Sequence, residues 1–464
     1  MSNRILFSLV IILFFIKTIS IYFTNFNMFG DEAQYWLWSK NFELGYFSKP
    51  PLLSWVIGIY SAVFGDSFFS LKLIPVFAYF LIGLSVYSLS KNIGLEKYEA
   101  LSCSLFFLLM PAVSFSSFII STDIFLLLFW TLSLNQLLKI THKPKIKNFV
   151  FLGIYIGLAF ISKYAAIYFL VCLLVYILID KKFRNLFFEN YLNFLLSFMF
   201  ILIILTPNII WNLNNEWVTL QHTSDNANLK NIKIDLLRGL EFLGIQILML
   251  GPFIFLGSLI KIKNLEFNRN KKVLLVFSLP IFFIVFFEAV IVRANANWAA
   301  PALISFFVFL YVSSKKEGIY MNLNLFFNFI FCIIFFLLIA TNHPSKIFER
   351  IIGLNNFAEY VYSEGSKNDI TRYVVSDRLL FSNLNYELRE RGVNFYMPYK
   401  ENSKITNHFM ISSPLNKLIS ENFILIGSPE DIIYLENTYK LKIKEMPKHS
   451  FTKNKLEMYE VEFD

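Results

Sequence analysis

Long apolar runs separated by short polar turns fill the first 340 positions of the chain. A run of about 17–25 apolar residues crosses the ~30 Å hydrocarbon layer of a bilayer as a helix. Eleven such runs are read at 5–23, 69–90, 99–119, 122–138, 148–162, 165–180, 190–207, 238–260, 273–292, 299–313 and 321–340. Beyond 341 the pattern changes, and no run is long enough to span. Arg372–Leu380 (RYVVSDRLL) reads as a strand and a turn, followed by a helix through Arg391. Phe423–Gly427 (FILIG) is a second short buried strand, and Ser428–Tyr434 begins a helix. The expected architecture is therefore a polytopic α-helical membrane domain over 1–341, holding a polar first loop at 24–68, and a small α/β domain over 342–464.

Composition agrees with this reading. The chain is 56% hydrophobic and only 16% charged, whereas soluble domains are about a quarter charged. The net charge of +9 does not point to nucleic acid, because the basic residues sit in short turns between apolar runs. One set of turns is basic: Lys91 and Lys97, Lys139 to Lys147, Lys181 to Arg184, Lys261 to Lys272, and Lys315 with Lys316. The alternate set is poor in basic residues; Asn25–Phe68 carries only Lys40 and Lys49. Excess Lys and Arg marks the cytoplasmic side. The N-terminus is thus expected inside, with the first loop, the Asn208–Leu237 loop and the C-terminal domain outside. Lys17 interrupts the first run and no small-residue cleavage site follows, so an uncleaved first span is expected. Cys103, Cys172 and Cys332 are scattered in apolar runs, and the histidines show no ligand spacing, so no metal site is expected.

The densest polar and aromatic patch is GDEAQYWLWSKNFELGYFSKPPLLSW, Gly30 to Trp55. Piece by piece it has ordinary explanations. Asp31 reads as a helix N-cap with Gln34 closing a capping box. Trp36, Trp38 and Tyr46 read as an interfacial aromatic belt, and Lys49 as a snorkelling cation. Together the pieces say more. The residue before a proline is held out of the α region, so Lys49-Pro50-Pro51 places a cation in the same loop as a carboxylate, at the depth of a lipid phosphate. That pairing suits group transfer from a phospholipid donor to a hydroxyl, with the carboxylate taking the proton.

These residues also resemble a known family. G-D-E-A-x-Y-W-x-W, G-Y-F-x-K-P-P-L and F-G-D-S-F are similar to the bacterial glycosyltransferase family 39, the protein O-mannosyltransferase-like group of the GT-C fold, to which the aminoarabinose transferases of lipid A are related. The likeness continues in T-D-I-F-L-L-L-F-W (Thr122–Trp130), S-K-Y (Ser162–Tyr164), N-W-x-A-P-A (Asn297–Ala302) and V-V-S-D-R. The resemblance implies Asp31 as catalytic base, Asp123 as a second acid near the site, and Lys49 as a contact to polyprenyl phosphate. It places Lys163, Tyr164 and Asn297 where polar groups enter the outer cavity. The aminoarabinose transferases carry an acid before the K-P-P lysine that helps hold a metal. Here that position is Ser48, which argues against a metal and against aminoarabinose as the sugar.

Each remaining candidate has a plainer alternative. Asp123 opens a span after Ser121 and Thr122, where N-capping is natural. Lys163 ends a short span, where it either snorkels or meets a phosphate or sugar. Arg238 and Glu241 lie three apart on one face and are read as a pair. Glu288 lies in Phe-rich sequence as a cavity-lining candidate, with Glu32, Tyr35 and Trp298 as further cavity residues, and His222 reads as solvated. The expected activity is transfer of one sugar from a polyprenyl-phosphate donor to an envelope glycolipid such as lipid A, at the periplasmic face and with inversion. Lys163 joins Lys49 as a phosphate contact in that reading. The alternatives are a protein acceptor for the same donor, or a lipid-linked sugar transporter or flippase.

Overall fold

A computed structural model describes residues 3–227, 232–260, 268–314, 318–415, 421–435, 438–447, 449 and 456–463. Lys261, Lys263, Lys315 and Lys316 of the basic turns, and part of the Asn208–Leu237 loop, lie outside the described residues. The chain forms two compact units. The first holds Met1–Tyr22, Lys49–Leu53 and Lys72–Ala340; the second holds Phe23–Ser48, Ser54–Leu71 and Thr341–Asp464. Most of the first polar loop thus folds with the C-terminal residues.

The first unit is helical. Among the described residues, seven helices are long and apolar enough to cross a membrane, or up to nine if each of two bent pairs is one span. Two expected runs are broken by their own local chemistry. The run at 99–119 divides into Lys97–Leu109 and Pro111–Ser116, because the ring of Pro111 forces Met110 out of the α region (φ −51°, ψ 141°). The run at 238–260 turns by 100° between Leu236–Leu250 and Pro252–Ile260. Gly251 makes that turn at φ +97°, and a Cβ there would meet Asn324 Oδ1 at 2.4 Å. The same Asn324 oxygen accepts from Ile254 N at 3.1 Å, which supplies a partner for a freed backbone N–H at membrane depth.

Small and polar residues hold the bundle together. A Cβ on Gly153 would meet Ser197 O at 2.3 Å, so the Ile146–Ser162 and Tyr191–Asn214 helices approach closely. Lys17, the interruption in the first apolar run, is buried and donates to Leu108 O at 3.3 Å and Ser117 Oγ at 3.0 Å. Lys72 is also buried and donates to Phe118 O at 3.0 Å. Both cations therefore serve the segment around the Pro111 break.

The second unit is built on a five-stranded sheet of order β2-β1-β3-β5-β4. The strands are β1 (Arg372–Val375), β2 (Asn394–Tyr396), β3 (Phe423–Gly427), β4 (Tyr439–Lys444) and β5 (Glu457–Phe463). β1 pairs in parallel with β2 and β3, while β5 is antiparallel to β3 and β4. β3 is buried along its whole length, as its unbroken apolar run requires.

Against this domain folds the first-loop helix Gly30–Trp38. It lies on the Arg378–Glu387 helix so closely that a Cβ on Gly30 would stand 2.6 Å from Leu379 Cβ. Trp36, Trp38 and Tyr46 are 3%, 3% and 0% exposed, so the expected aromatic belt is a protein core instead. Trp38 and Tyr46 stack at 4.7 Å, and His408 sits edge-on to both. Asp66, from the F-G-D-S-F motif, accepts from Trp36 Nε1 at 3.1 Å and Lys40 Nζ at 2.8 Å, with Arg389 Nε at 3.5 Å. Burial opposes its ionisation, but these donors and the Lys40 and Arg389 charges outweigh that and hold its carboxyl below the usual range.

Burial pushes the His408 imidazole down to about 4. Glu43, 3.6 Å from Nε2, is beyond hydrogen-bond range. An unfolded histidine takes a proton near 6.5, which the folded ring refuses until about 4. Stability from this group is therefore intact above pH 6.5 and declines as pH falls toward 4. Between pH 7 and 5 the loss is expected to be about 2 kcal/mol. Unfolding in detergent as a function of pH measures it, and His408→Gln should flatten this acid limb.

Candidate functional site

Three segments far apart in sequence bring Asp123, Lys163 and Asn297 together in the first unit. Asp123 is the first residue of the Asp123–His142 helix, where aligned peptide dipoles favour an anion. The N-cap position belongs to Thr122, without a side-chain cap bond, so the N-capping alternative for Asp123 does not apply. Lys163 leaves the end of the Ile146–Ser162 helix with extended backbone (φ −160°, ψ 133°) before the single turn Tyr164–Ala166. Asn297 lies in the short turn Ala296–Ala299 that leads into Ala300–Ser314. Lys163 Nζ donates to Asp123 Oδ1 at 2.6 Å, and Asn297 Nδ2 donates to Asp123 Oδ2 at 2.9 Å. The paired side chains of Lys163 and Asp123 are only 17% and 11% exposed. Both carboxylate oxygens are thus held at a place where an unpaired charge is costly.

Asp123 and Asn297 belong to the lining of a cavity of about 590 Å³ whose other walls are mostly apolar, among them Leu248, Met249, Phe327 and Phe331. Beside Lys163, Tyr164 Oη donates to Asn208 Oδ1 at 2.6 Å and accepts from Asn212 Nδ2 at 3.2 Å. Trp298 is half-buried next to Asn297. Glu288 is half-buried on the Leu279–Ile291 helix and is not part of this cavity's lining. Arg238 pairs with Asp235 at 3.2 Å rather than with Glu241. His222 lies on the Val218–Ala227 helix with its Nε2 2.9 Å from Asn226 Nδ2.

The second cluster lies in the second unit. The Gly30–Trp38 helix is capped differently from the pattern read in its sequence: Phe29 N donates to Glu32 Oε2 at 2.9 Å. Glu32 is fully buried, and Tyr35 packs edge-on to Trp38, so neither faces an open cavity. Asp31, freed from capping, is 59% exposed, and its Oδ1 accepts from Arg378 Nη1 at 3.2 Å. The same Nη1 donates to Gln34 Oε1 at 2.6 Å. Arg378 is the first residue of its helix, fixed by the Asp377 side chain accepting from Leu379 N and Leu380 N at 3.0 and 2.8 Å. Sequence reasoning quoted V-V-S-D-R without assigning its arginine a role, and it passed over Asn208 and Asn212, whose only signal was their spacing of four. Lys49 is half-buried just before the Leu52–Phe64 helix. Among the described residues, no group of three or more His, Cys, Asp or Glu side chains converges as a metal site requires.

The chain is similar to several known proteins. The family described as dolichyl-phosphate-mannose-protein mannosyltransferase matches residues 48–211. The lipid A galacturonosyltransferase RgtD of Rhizobium johnstonii is 26% identical over 395 residues, 82% of this chain and 82% of that protein. The structure of ArnT from Cupriavidus metallidurans bound to undecaprenyl phosphate aligns with a TM-score of 0.71 at 13% identity, covering 99% of this chain and 98% of that one. An oligosaccharyltransferase of Archaeoglobus fulgidus tethered to an acceptor peptide aligns less completely, with a TM-score of 0.52 at 14% identity over 84% of this chain and 63% of that one. The resemblance read from the first-loop motifs is borne out, and the ArnT-like fold extends over nearly the whole chain.

The 2.6 Å contact couples Asp123 and Lys163 energetically. Asp123→Asn and Lys163→Met should each lower the melting temperature in detergent, and the double variant should lose less than the sum. The expected coupling is ~0.5–3 kcal/mol; strict additivity would show that the ion pair contributes nothing.

Proposed function

We infer that this chain, a multi-pass inner-membrane glycosyltransferase of the GT-C fold related to the lipid A-modifying transferases, moves a single sugar from a polyprenyl-phosphate donor to an envelope glycolipid such as lipid A. The observation that carries this reading is the apolar cavity with Asp123 and Asn297 in its lining, on a fold shared with a protein solved with undecaprenyl phosphate. An isoprenoid chain needs such apolar walls, and Lys163, paired with Asp123, supplies a cation next to that lining. The acceptor named for the R. johnstonii relative favours a glycolipid over a protein. A transporter or flippase fits less well. It would place ionisable groups at mid-membrane depth, whereas Asp123, Lys163 and Asn297 all stand at helix ends or in a turn.

The proposed chemistry is a single displacement. The acceptor oxygen attacks the anomeric carbon, and the carbon–oxygen bond to phosphate breaks. The polyprenyl phosphate leaves with the electron pair, and the hydroxyl proton passes to Asp31. Asp31 is suited to this: Arg378 anchors Oδ1, while Oδ2 makes no hydrogen bond among the described residues. Phosphate is a good leaving group, so a strong general acid is not required. Lys49 is assigned to the departing phosphate, with Lys163 and Asn297 as further polar contacts. Asp123 orients those two and acts as the second acid of the site.

Asp31→Asn is expected to lower turnover by ~10²–10⁴ while sparing donor binding. Lys49→Ala is expected to weaken donor binding by about 10- to 100-fold, as loss of a charge-assisted contact does, with partial rescue by Lys49→Arg. Transfer from a synthetic polyprenyl-phosphate sugar, with binding assayed separately, reads both. Near-normal turnover by Asp31→Asn would end its assignment as base.

The finer topology proposed is eleven crossings with a cytoplasmic N-terminus and a periplasmic C-terminal domain, on the strength of the alternating basic turns. Reporter fusions after Lys145, Arg184 and Lys271 should be cytoplasmic, and those after Gly45 and at the C-terminus external. A cytoplasmic C-terminus would reverse the assignment.

A further inference from the structure

Arg378 carries more hydrogen-bonding capacity than its protein contacts use. A guanidinium holds five N–H donors in one plane. Here Nη1 donates to Asp31 Oδ1 and Gln34 Oε1. The edge formed by Nε–H and Nη2–H makes no hydrogen bond among the described residues, and the side chain is 41% exposed. That edge is the one that matches a planar carboxylate or a phosphate with two parallel N–H···O bonds. The group is also well fixed. It starts a helix capped by Asp377, and the next residue, Leu379, is pressed against Gly30 of the helix that carries Asp31.

The bond to buried Gln34 gives this arginine a structural part, but that part uses Nη1 alone. An exposed ion pair adds little to folding, and the two helices are already joined by the close approach at Gly30 and by the Asp66 cluster. What the guanidinium changes is the field at Asp31. A lone carboxylate acting as base repels any negative group on an incoming substrate. With Arg378 on Oδ1, the pair is neutral overall, and the guanidinium that touches the base keeps a second donor edge.

We propose that Arg378 is a specificity-determining residue, whose Nε/Nη2 edge binds an oxyanion carried by the substrate next to the reacting hydroxyl. This rests on the reading of the chain as a sugar transferase with Asp31 as base. Two substrates present the required chemistry: a donor whose sugar is a uronic acid, through its carboxylate, and a phosphorylated glycolipid acceptor, through its phosphate.

The test is a matrix of two donors and two acceptors with purified full-length protein in detergent. The donors are polyprenyl-phosphate galacturonate and polyprenyl-phosphate galactose; the acceptors are lipid A with and without its phosphates. The wild type is expected to prefer the anionic member of one pair by about 10- to 100-fold in kcat/KM, and the pair showing the preference identifies the source of the oxyanion. Arg378→Gln should abolish that preference through KM, while any fall in kcat from the lost contact to Asp31 is shared by neutral and anionic substrates. Arg378→Lys, which keeps the charge but loses the fork, should restore only part of it. An equal fall in kcat for neutral and anionic substrates with the preference retained would overturn the proposal and leave Arg378 as a positioning residue for Asp31 only. So would a wild type without preference in either pair. Failure of the wild type to transfer sugar from any donor would instead overturn the transferase reading on which the proposal depends. Melting temperatures of the variants, expected within a few degrees of wild type, exclude misfolding as the cause.

Discussion

A charge placed at the end of a membrane helix must be answered, and the first unit is organised around one such answer. The Asp123 carboxylate accepts from Lys163 at 2.6 Å and from Asn297 at 2.9 Å. These side chains come from the beginning of one helix, the end of another and a turn before a third. Removing Lys163 or Asp123 leaves the other charge, largely buried, without its counter-ion. The three side chains therefore tie together three segments that the apolar runs alone would leave free to slide, since lipid packs against Phe and Leu as well as helices do. Asp123 and Asn297 also belong to the cavity lining, so two of the three groups that hold the segments in place border that space.

The second unit uses charge for a different purpose. Its first-loop helix is seated by a glycine that permits close approach to Leu379 and by Asp66, which gathers an indole, an ammonium and a guanidinium. With the helix seated in this way, Asp31 can remain exposed. Glu32, one position on, closes the helix start from a fully buried position. Two adjacent acids in one motif thus do different work because successive residues on a helix point about 100° apart. One turns inward to the Phe29 amide, and the other turns outward to Arg378 and solvent.

Much of this was legible beforehand, and the reasons are physical. Apolar run length translates directly into membrane-spanning helices, so the long runs and the change of character after 341 were readable without coordinates. The strand-turn-helix at Arg372 and the buried strand at Phe423 also followed from local pattern. Asp123, Lys163 and Asn297 were each singled out, but their convergence on one carboxylate was not in the pattern. The Pro111 break was encoded by its proline, yet the surrounding apolarity masked it. Trp36, Trp38 and Tyr46 misled because an aromatic cluster beside a membrane span has the same composition whether it faces headgroups or a protein core.

What the sequence determined by itself was the solvent of each segment and the chemical repertoire of the site: hydrocarbon for the long runs, water for the ends, and carboxylate, cation and amide at their junctions. These depend on composition and short-range pattern. Tertiary structure alone decided which groups meet. Whether Asp31 capped its helix or met a guanidinium depended on Arg378, 347 positions away. Whether the tryptophans saw lipid depended on His408 and the residues around it. Partnership across such distances is set by the packing of whole elements, and no local pattern along the chain carries it.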